Sequence, residues 1–71
     1  MTNTNKLKAM IIERGTTAND LAKKIGMTSR TFSLKLNNKR EFVLSEVAKI
    51  QQALNLSPEE RDSIFFGKCV D

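Results

Sequence analysis

The apolar residues of this chain recur three and four positions apart, the spacing that places them on one face of an α-helix. Leu7, Met10 and Ile11 show this spacing near the start of the sequence, and the same pattern returns further along. No segment alternates apolar and polar residues as a strand does, so the pattern predicts an all-α fold. The five predicted helices cover about residues 4–14, 18–25, 29–37, 44–54 and 58–66, in a single domain of residues 1–71 with a tail at 67–71.

The beginnings of the last two predicted helices differ in the strength of their signals. Ser57 precedes Pro58 and stands three positions before Glu60, which combines a capping box with proline at the first helical position. Val43 occupies the expected cap position of the fourth helix, and its side chain has no hydrogen-bond acceptor. Ser45 is an alternative cap, which would start the fourth helix later.

The segment from Thr17 to Asn37 predicts two short helices joined by a tight turn. Thr17 and Thr28 stand at N-cap positions, where a hydroxyl accepts a backbone N–H that the start of a helix leaves free. Gly26 lies at the turn, where a chain leaving a helix commonly adopts a left-handed conformation. Ala22 supplies the small side chain needed where two helices cross closely. Together these features predict a helix-turn-helix.

The second helix of this motif presents two different faces. At about 100° per residue, Phe32 and Leu36 share one edge, which we expect to be buried. The residues about 100–200° around the helix from Phe32 point away from the core, and they are Arg30, Ser33, Leu34 and Asn37. In the major groove of DNA, arginine contacts guanine, asparagine contacts adenine, serine contacts either base, and an apolar group contacts a thymine methyl. The alternative is an ordinary solvent-exposed helix face.

Positive charge is concentrated on the same segment. Residues 18–40 hold six cations against Asp20 alone, a net charge of +5, whereas residues 1–17 carry +2 and residues 41–71 carry −3. Because cations that neutralise phosphates release the counterions of DNA, this distribution favours double-stranded DNA as the partner. Chance clustering of the cations is the alternative.

A polar loop follows the motif and carries Asn38, Lys39 and Arg40. Behind a helix lodged in the major groove, this loop would cross the sugar-phosphate backbone, so its two cations are expected to contact phosphates without reading sequence. The first helix of the motif would offer the free N–H groups of its N-terminus to a phosphate. The candidate DNA-contacting residues are Thr17, Thr28, Ser29, Arg30, Ser33, Leu34, Asn37, Asn38, Lys39 and Arg40.

The composition argues against catalysis and against a bound metal or cofactor. The chain has no histidine and Cys69 is its single cysteine, so we expect neither an intrachain disulfide nor a zinc site. It also lacks paired acids in an apolar cleft and a glycine-rich phosphate loop, so no enzymatic activity and no small-molecule substrate are expected. No apolar run approaches the roughly 20 residues of a membrane span and no secretory segment is found, which predicts a cytoplasmic protein without a membrane partner.

The chain resembles the small phage helix-turn-helix regulators related to Cro and the lambda-type repressors. The resemblance covers about residues 5–66 and rests on Leu21-Ala22, Ile25-Gly26-Met27-Thr28, Arg30-Thr31-Phe32, Leu36-Asn37, Lys39-Arg40-Glu41-Phe42, the SEVAKI run and Leu54-Asn55-Leu56-Ser57. It implies a five-helix, lambda-repressor-like DNA-binding domain that regulates transcription at an operator in a phage lysis–lysogeny switch, in the cytoplasm of a bacterial host cell. Such proteins commonly bind as twofold dimers. Ala18, Leu34 and Asn38 depart from the family pattern, in which glutamine, a polar residue and glycine are common at these positions.

The same family resemblance implies an alternative function. Some members of the fold are antirepressors or modulators, which bind a phage repressor protein instead of an operator. Leu34 motivates this alternative, because an exposed leucine among polar neighbours suits an apolar pocket of a protein as well as a thymine methyl. The glutamine missing at Ala18 points the same way.

The phenylalanines outside the motif have distinct expected places. Phe42 is too apolar for a bare loop, so we expect it to fill the core beneath that loop. Phe65 and Phe66 are neighbours and cannot both face one apolar stripe. Phe65 is expected inside, while Phe66 either covers the edge of the domain or meets a second subunit.

Overall fold

The computed structural model describes residues 2–66, and within this range the chain forms five α-helices and no strand. The helices are α1 (Thr4–Glu13), α2 (Ala18–Lys24), α3 (Ser29–Leu36), α4 (Leu44–Leu54) and α5 (Pro58–Phe65). The prediction of an all-α fold is confirmed. Every helix begins at the predicted residue, and α1, α2, α3 and α5 end one residue before the predicted end, because that last residue is already the C-cap. The predicted tail at 67–71, with Cys69, lies outside the described residues.

Side chains cap the helix starts that the sequence marks most clearly. The hydroxyl of Thr17 accepts a backbone N–H from the first turn of α2 at 3.1 Å, and the hydroxyl of Thr28 does the same for α3 at 3.2 Å. At the start of α5, Ser57 Oγ accepts the Glu60 N–H at 3.1 Å, and Glu60 Oε1 accepts the Ser57 N–H at 2.8 Å. This reciprocal pair is the predicted capping box.

The start of α4 lies at the predicted residue, and Glu46 stabilises it instead of the alternative cap, Ser45. The helix begins at Leu44, with Val43 as its N-cap in an extended conformation. The valine side chain cannot accept a hydrogen bond, but the Glu46 carboxylate reaches back and accepts the Val43 N–H at 2.9 Å. Half of a capping box is thus sufficient here, because Glu46 satisfies one of the donors left free at the helix start.

The first three helices end in the same way, with a left-handed residue just after the C-cap. These residues are Gly15 (φ 74°), Gly26 (φ 76°) and Asn38 (φ 61°). After α3, the Lys39 N–H donates to the Leu34 carbonyl at 2.8 Å, which is the hydrogen bond that closes such a helix end. Asparagine tolerates the left-handed conformation better than other residues with a side chain. This explains how Asn38 replaces the glycine expected after α3.

One apolar cluster forms the core, and every helix contributes to it. Ala22 is fully buried, in keeping with its expected role where two helices cross closely. None of the helices among residues 2–66 has the length and apolar surface that crossing a membrane requires. The buried members of the cluster are Leu7, Ile11, Leu21, Ala22, Ile25, Phe32, Leu36, Val47, Ile50, Leu54, Leu56, Ile64 and Phe65.

The phenylalanines hold the loop after α3 against this core. The ring of Phe42 is half-buried and meets the rings of Phe32 and Phe65 edge-on, with centroids 5.8 Å and 5.5 Å apart. Phe65 is buried, as predicted, and Phe66 is 43% exposed with the Arg61 guanidinium 5.9 Å from its ring centroid. The aromatic contacts therefore fix the position of the loop that leads out of α3.

Candidate nucleic-acid interface

The outward side of α3 carries three polar residues at its surface. Phe32 and Leu36 are 1% and 8% exposed, so one edge of the helix is anchored in the core. Arg30, Ser33 and Asn37 are exposed, and we call these three residues the α3 ridge. Because residues of a helix keep a constant angular spacing, the buried edge determines which side chains face outward.

Members of the α3 ridge differ in how far they are engaged within the protein. Asn37 Nδ2 donates to the main-chain carbonyl of Ser33 at 2.8 Å and lies 3.4 Å from Ser33 Oγ. Arg30 forms neither a hydrogen bond nor an ion pair with any side chain of residues 2–66. Its guanidinium therefore has all of its N–H donors free for a partner.

Leu34 does not match the expectation of a leucine that points fully into solvent. It is half-buried, although it does not pack against the core cluster. The left-handed turn at Asn38 reverses the chain, and the hydrogen bond from Lys39 N–H to the Leu34 carbonyl draws the loop back toward the last turn of α3. The loop that follows α3 thus returns beside the main chain of Leu34.

Lys35 is buried, which the charge pattern of the segment does not reveal. Its side chain is 9% exposed, and Nζ lies 2.6 Å and 2.7 Å from the two carboxylate oxygens of Glu46. One of the six cations of residues 18–40 is therefore neutralised inside the protein rather than offered to a partner. The ion pair joins α3 to the first turn of α4, since Glu46 also accepts the Val43 N–H.

The pKa of Glu46 reflects this environment. Burial raises the pKa of the carboxyl, but the hydrogen bonds from Lys35 and the Val43 backbone and the charges of Lys35 and Lys49 outweigh it. The net result is a pKa below the ordinary value of 4.5. The ionised form of Glu46 is thus favoured by folding.

Glu46→Gln is expected to lower the free energy of unfolding by about 1–3 kcal/mol at neutral pH, because it leaves a largely buried ammonium without its counterion. Since the folded-state pKa is depressed, the contribution of Glu46 is fully present above the ordinary value of 4.5 and is lost as the pH falls through the folded-state pKa. The stability difference between wild type and variant should therefore shrink on acidification. Urea unfolding at a series of pH values measures this difference.

Glu41→Gln is the matched control for this experiment, because Glu41 is exposed and forms no ion pair within the described part of the chain. Its effect is expected to stay within about 0.5 kcal/mol at neutral pH. A stability difference for Glu46→Gln that does not change between neutral and acidic pH would contradict the assigned role of the ion pair.

The hydroxyl groups at the two helix starts are used inside the protein. Thr28 Oγ1 donates to Thr31 Oγ1 at 3.0 Å, in addition to its capping bond, and Ser29 Oγ donates to Asn19 Oδ1 at 2.7 Å. Thr17 is likewise engaged as the cap of α2. These residues were candidates for DNA contact, but their hydroxyl groups hold α2 and α3 in place. The hydroxyl protons of Thr28 and Ser29 are therefore engaged within the protein, whereas Thr17 accepts a bond and keeps its own proton.

Asn38 also has an internal role. Its side-chain Nδ2 donates to the carbonyl of Thr2 at 3.3 Å, and Thr2 is only 5% exposed. The residue thus ties the beginning of the described chain to the end of α3. Lys39 and Arg40, which follow directly, are exposed. All three loop candidates are exposed, and Asn38 in addition has this contact within the protein.

Several exposed cations surround the α3 ridge in sequence and form no ion pair among residues 2–66. Two of them lie in the last turn of α2 and were counted in the charge of the segment without being identified as candidate contacts. Their position at a helix end within the basic segment could have identified them as candidate phosphate contacts from the sequence. The exposed cations of residues 18–40 are Lys23, Lys24, Arg30, Lys39 and Arg40.

The five helices of residues 2–66 define this protein as a small all-α domain. Within residues 2–66, no group of three or more histidine, cysteine, aspartate or glutamate side chains is arranged to hold a metal ion. The chain belongs to the family described as "Protein of unknown function (DUF739)", whose model matches residues 2–68. None of the curated proteins matches the chain significantly.

Proposed function

We propose that the protein binds duplex DNA in a sequence-specific manner and regulates transcription, as a helix-turn-helix regulator of the Cro and lambda-repressor type. The observation that carries the proposal is the α3 ridge. Arg30, Ser33 and Asn37 project from a helix whose opposite edge is buried, within the most basic part of the chain. In this proposal α2 and α3 are the two helices of the motif, and α3 is the recognition helix.

The dimensions and chemistry of α3 suit the major groove. An α-helix with its side chains is about 10–12 Å across, and the groove is about 12 Å wide. Arg30 would bind the O6 and N7 acceptors of guanine, and Ser33 would bind a neighbouring base. Leu34, which is half-buried, would offer only part of its side chain to a thymine methyl. Base reading therefore rests chiefly on the α3 ridge.

Lys39 and Arg40 would bind the sugar-phosphate backbone beside the recognition helix. Both are exposed in the loop that follows α3, and the left-handed turn at Asn38 holds that loop against the helix end. Contacts of this kind position a protein on DNA without reading its sequence. The buried Lys35 takes no part in this contact.

Lys39→Ala is expected to weaken binding to all duplexes alike. Loss of one phosphate contact should flatten the slope of log affinity against log salt by about one unit. The measurement is a set of titrations at several salt concentrations, with a duplex selected from a random library by the wild-type protein (hereafter the operator) and with a random duplex.

Lys8→Ala is the matched control, since Lys8 is an exposed lysine on α1 outside the basic segment. This variant is expected to keep the wild-type slope. A slope change as large for Lys8→Ala as for Lys39→Ala would refute a specific phosphate contact by the loop. A loss confined to the operator would instead make Lys39 a base-reading residue.

The regulator is proposed to act as a twofold dimer in the cytoplasm of a bacterial cell, within a phage lysis–lysogeny switch, and without enzymatic activity. Dimers of this type present two recognition helices about 34 Å apart to successive major grooves. Leu44 and Phe66 are 74% and 43% exposed and line one cleft beside α4 and α5. Because they share this cleft, we propose these two apolar side chains as the contact with a second subunit.

An antirepressor function, in which the same surface binds a phage repressor protein, is the second candidate. Leu34 favours it, because a leucine outside the core on the outer side of α3 is available to an apolar pocket of a partner. A gel shift with the protein alone, and then with a co-encoded repressor, separates the two functions. Reduced mobility of the DNA in the presence of this protein alone supports operator binding. Release of the repressor from its DNA supports the second candidate.

A further inference from the structure

The side-chain amide of Asn37 has a defined orientation. Its Nδ2 lies 2.8 Å from the main-chain carbonyl oxygen of Ser33. A carbonyl oxygen carries no proton, so the amide atom that faces it must be the donor, and the reversed amide would set two acceptors against each other. Oδ1 is therefore the end of Asn37 that remains for a partner, and no donor within residues 2–66 binds it.

An acceptor at this position restricts what Asn37 can contact on DNA. Phosphate oxygens are themselves acceptors, so they do not bind Oδ1. The two-bond contact of asparagine with adenine requires the amide NH₂ group for the base N7 as well as the oxygen for the N6 amine. One N–H of that NH₂ group donates to the Ser33 carbonyl oxygen at 2.8 Å, and Ser33 Oγ lies 3.4 Å from the same nitrogen, so the NH₂ end of the amide is drawn back along α3 toward Ser33. The exocyclic amines of adenine and cytosine remain, because both donate into the major groove.

We propose that Asn37 is a specificity-determining residue that accepts one hydrogen bond from the exocyclic amine of an adenine or a cytosine. This inference rests on the proposed function and assigns one base contact within it. Arg30 stands seven positions earlier and donates to guanine. Seven residues rise about 10.5 Å along a helix, or about three base-pair steps of 3.4 Å. The amine that Asn37 reads therefore lies about three base pairs from the guanine that Arg30 reads.

Selection from a random duplex library locates the base pair concerned. Wild-type protein, Arg30→Ala and Asn37→Ala are each used to enrich duplexes, and the enriched sequences are compared. Asn37→Ala is expected to relax the preference at a single base pair, about three base pairs from the one that Arg30→Ala relaxes. Asn37 is exposed, so its truncation leaves the apolar core intact.

The chemical test uses the wild-type protein, so no substitution affects folding. The amine at the located base pair is deleted, with purine in place of adenine or 2-pyrimidinone in place of cytosine. Binding is expected to weaken by about fivefold to tenfold, the effect of one hydrogen bond. Replacing N7 of the purine in the same base pair by carbon is expected to leave the affinity unchanged.

Ser33→Ala is the matched control for these measurements. It removes the Ser33 hydroxyl, 3.4 Å from Asn37 Nδ2, but keeps the main-chain carbonyl that orients the amide. Ser33 is itself proposed to bind a base, so the quantity compared is the ratio of the affinities for the duplexes with and without the amine. This ratio is expected to equal that of the wild-type protein.

The outcomes separate this inference from the proposed function. Equal losses on deleting the amine and on replacing N7 would show the two-bond contact with adenine and would overturn the inference. If Arg30→Ala relaxes a base pair and Asn37→Ala relaxes none, the inference fails while the proposed function stands. If the wild-type protein enriches no sequence, both fail together.

Discussion

Phe32→Ala is expected to lower the free energy of unfolding by about 3–5 kcal/mol, the cost of removing a buried ring and leaving a cavity. The ring is 1% exposed and meets Phe42 edge-on at 5.8 Å. Domains of this size are stabilised by roughly 4–11 kcal/mol in total, at about 0.05–0.15 kcal/mol per residue. The variant should therefore keep little of its stability. Because Phe32 anchors the edge opposite the α3 ridge, specific DNA binding should be lost as well.

Urea unfolding followed by far-ultraviolet circular dichroism measures this effect. Ile12→Ala is a suitable control, because this large apolar side chain is 76% exposed, lies outside the proposed contacts with DNA and a second subunit, and its truncation is expected to cost no more than about 0.5 kcal/mol. A loss below about 1 kcal/mol for Phe32→Ala would contradict the central place of the ring in the core.

Arg30→Ala is expected to weaken binding to the operator by about 5-fold to 150-fold, which corresponds to about 1–3 kcal/mol. The guanidinium is exposed and forms no ion pair within residues 2–66, so its forked donors are available to guanine. The variant should also lose its preference for guanine at one base pair. Anisotropy titrations with the operator and with a duplex substituted at that guanine measure both effects.

Arg30→Lys provides the matched control, because lysine keeps the positive charge but cannot reproduce the planar fork of arginine. It is expected to keep the affinity for random DNA and to reduce the preference for guanine without abolishing it, since the lysine ammonium can still donate to O6 and N7. If Arg30→Ala weakens the operator and random duplexes by the same factor, Arg30 contributes charge alone and its base-reading role is refuted.

The local parts of the structure were predictable from the sequence because they depend on neighbouring residues. Thr17, Thr28 and Ser57 mark helix starts through bonds to N–H groups three positions ahead. Phe32 and Leu36 stand four positions apart and bury one edge of α3 in the core. The outward position of the α3 ridge follows from this spacing. The ends of α1, α2, α3 and α5 were predicted one residue too late, since a C-cap still resembles the helix in sequence.

The net charge of residues 18–40 did not predict that Lys35 is buried in an ion pair. The angular argument that places Phe32 in the core also places Lys35 within about 60° of it, which was the available sign of burial. The counterion, Glu46, lies 11 positions away on another helix. A net charge for a segment cannot reveal which of its cations meets such a partner.

Contacts between distant parts of the chain account for the remaining differences. The sequence places Asn38 in a turn, but it does not predict that the side-chain NH₂ group of Asn38 donates to the carbonyl of Thr2, 36 positions away. The start of α4 depends on Glu46, whose carboxylate serves both Val43 and Lys35. The bond to Val43 is local, three positions apart, but the contact of Glu46 with Lys35 requires α3 to pack against α4. The contact of Asn38 likewise requires the beginning of the described chain to lie beside the end of α3.

The most direct test of DNA reading by the α3 ridge is the ratio of two affinities of the wild-type protein. One is for the operator and the other for a shuffled duplex of the same composition, both at physiological salt. For specific binding we expect a ratio of at least about 10³. Equal affinities for the two duplexes, or no binding to either, would contradict sequence reading by the α3 ridge.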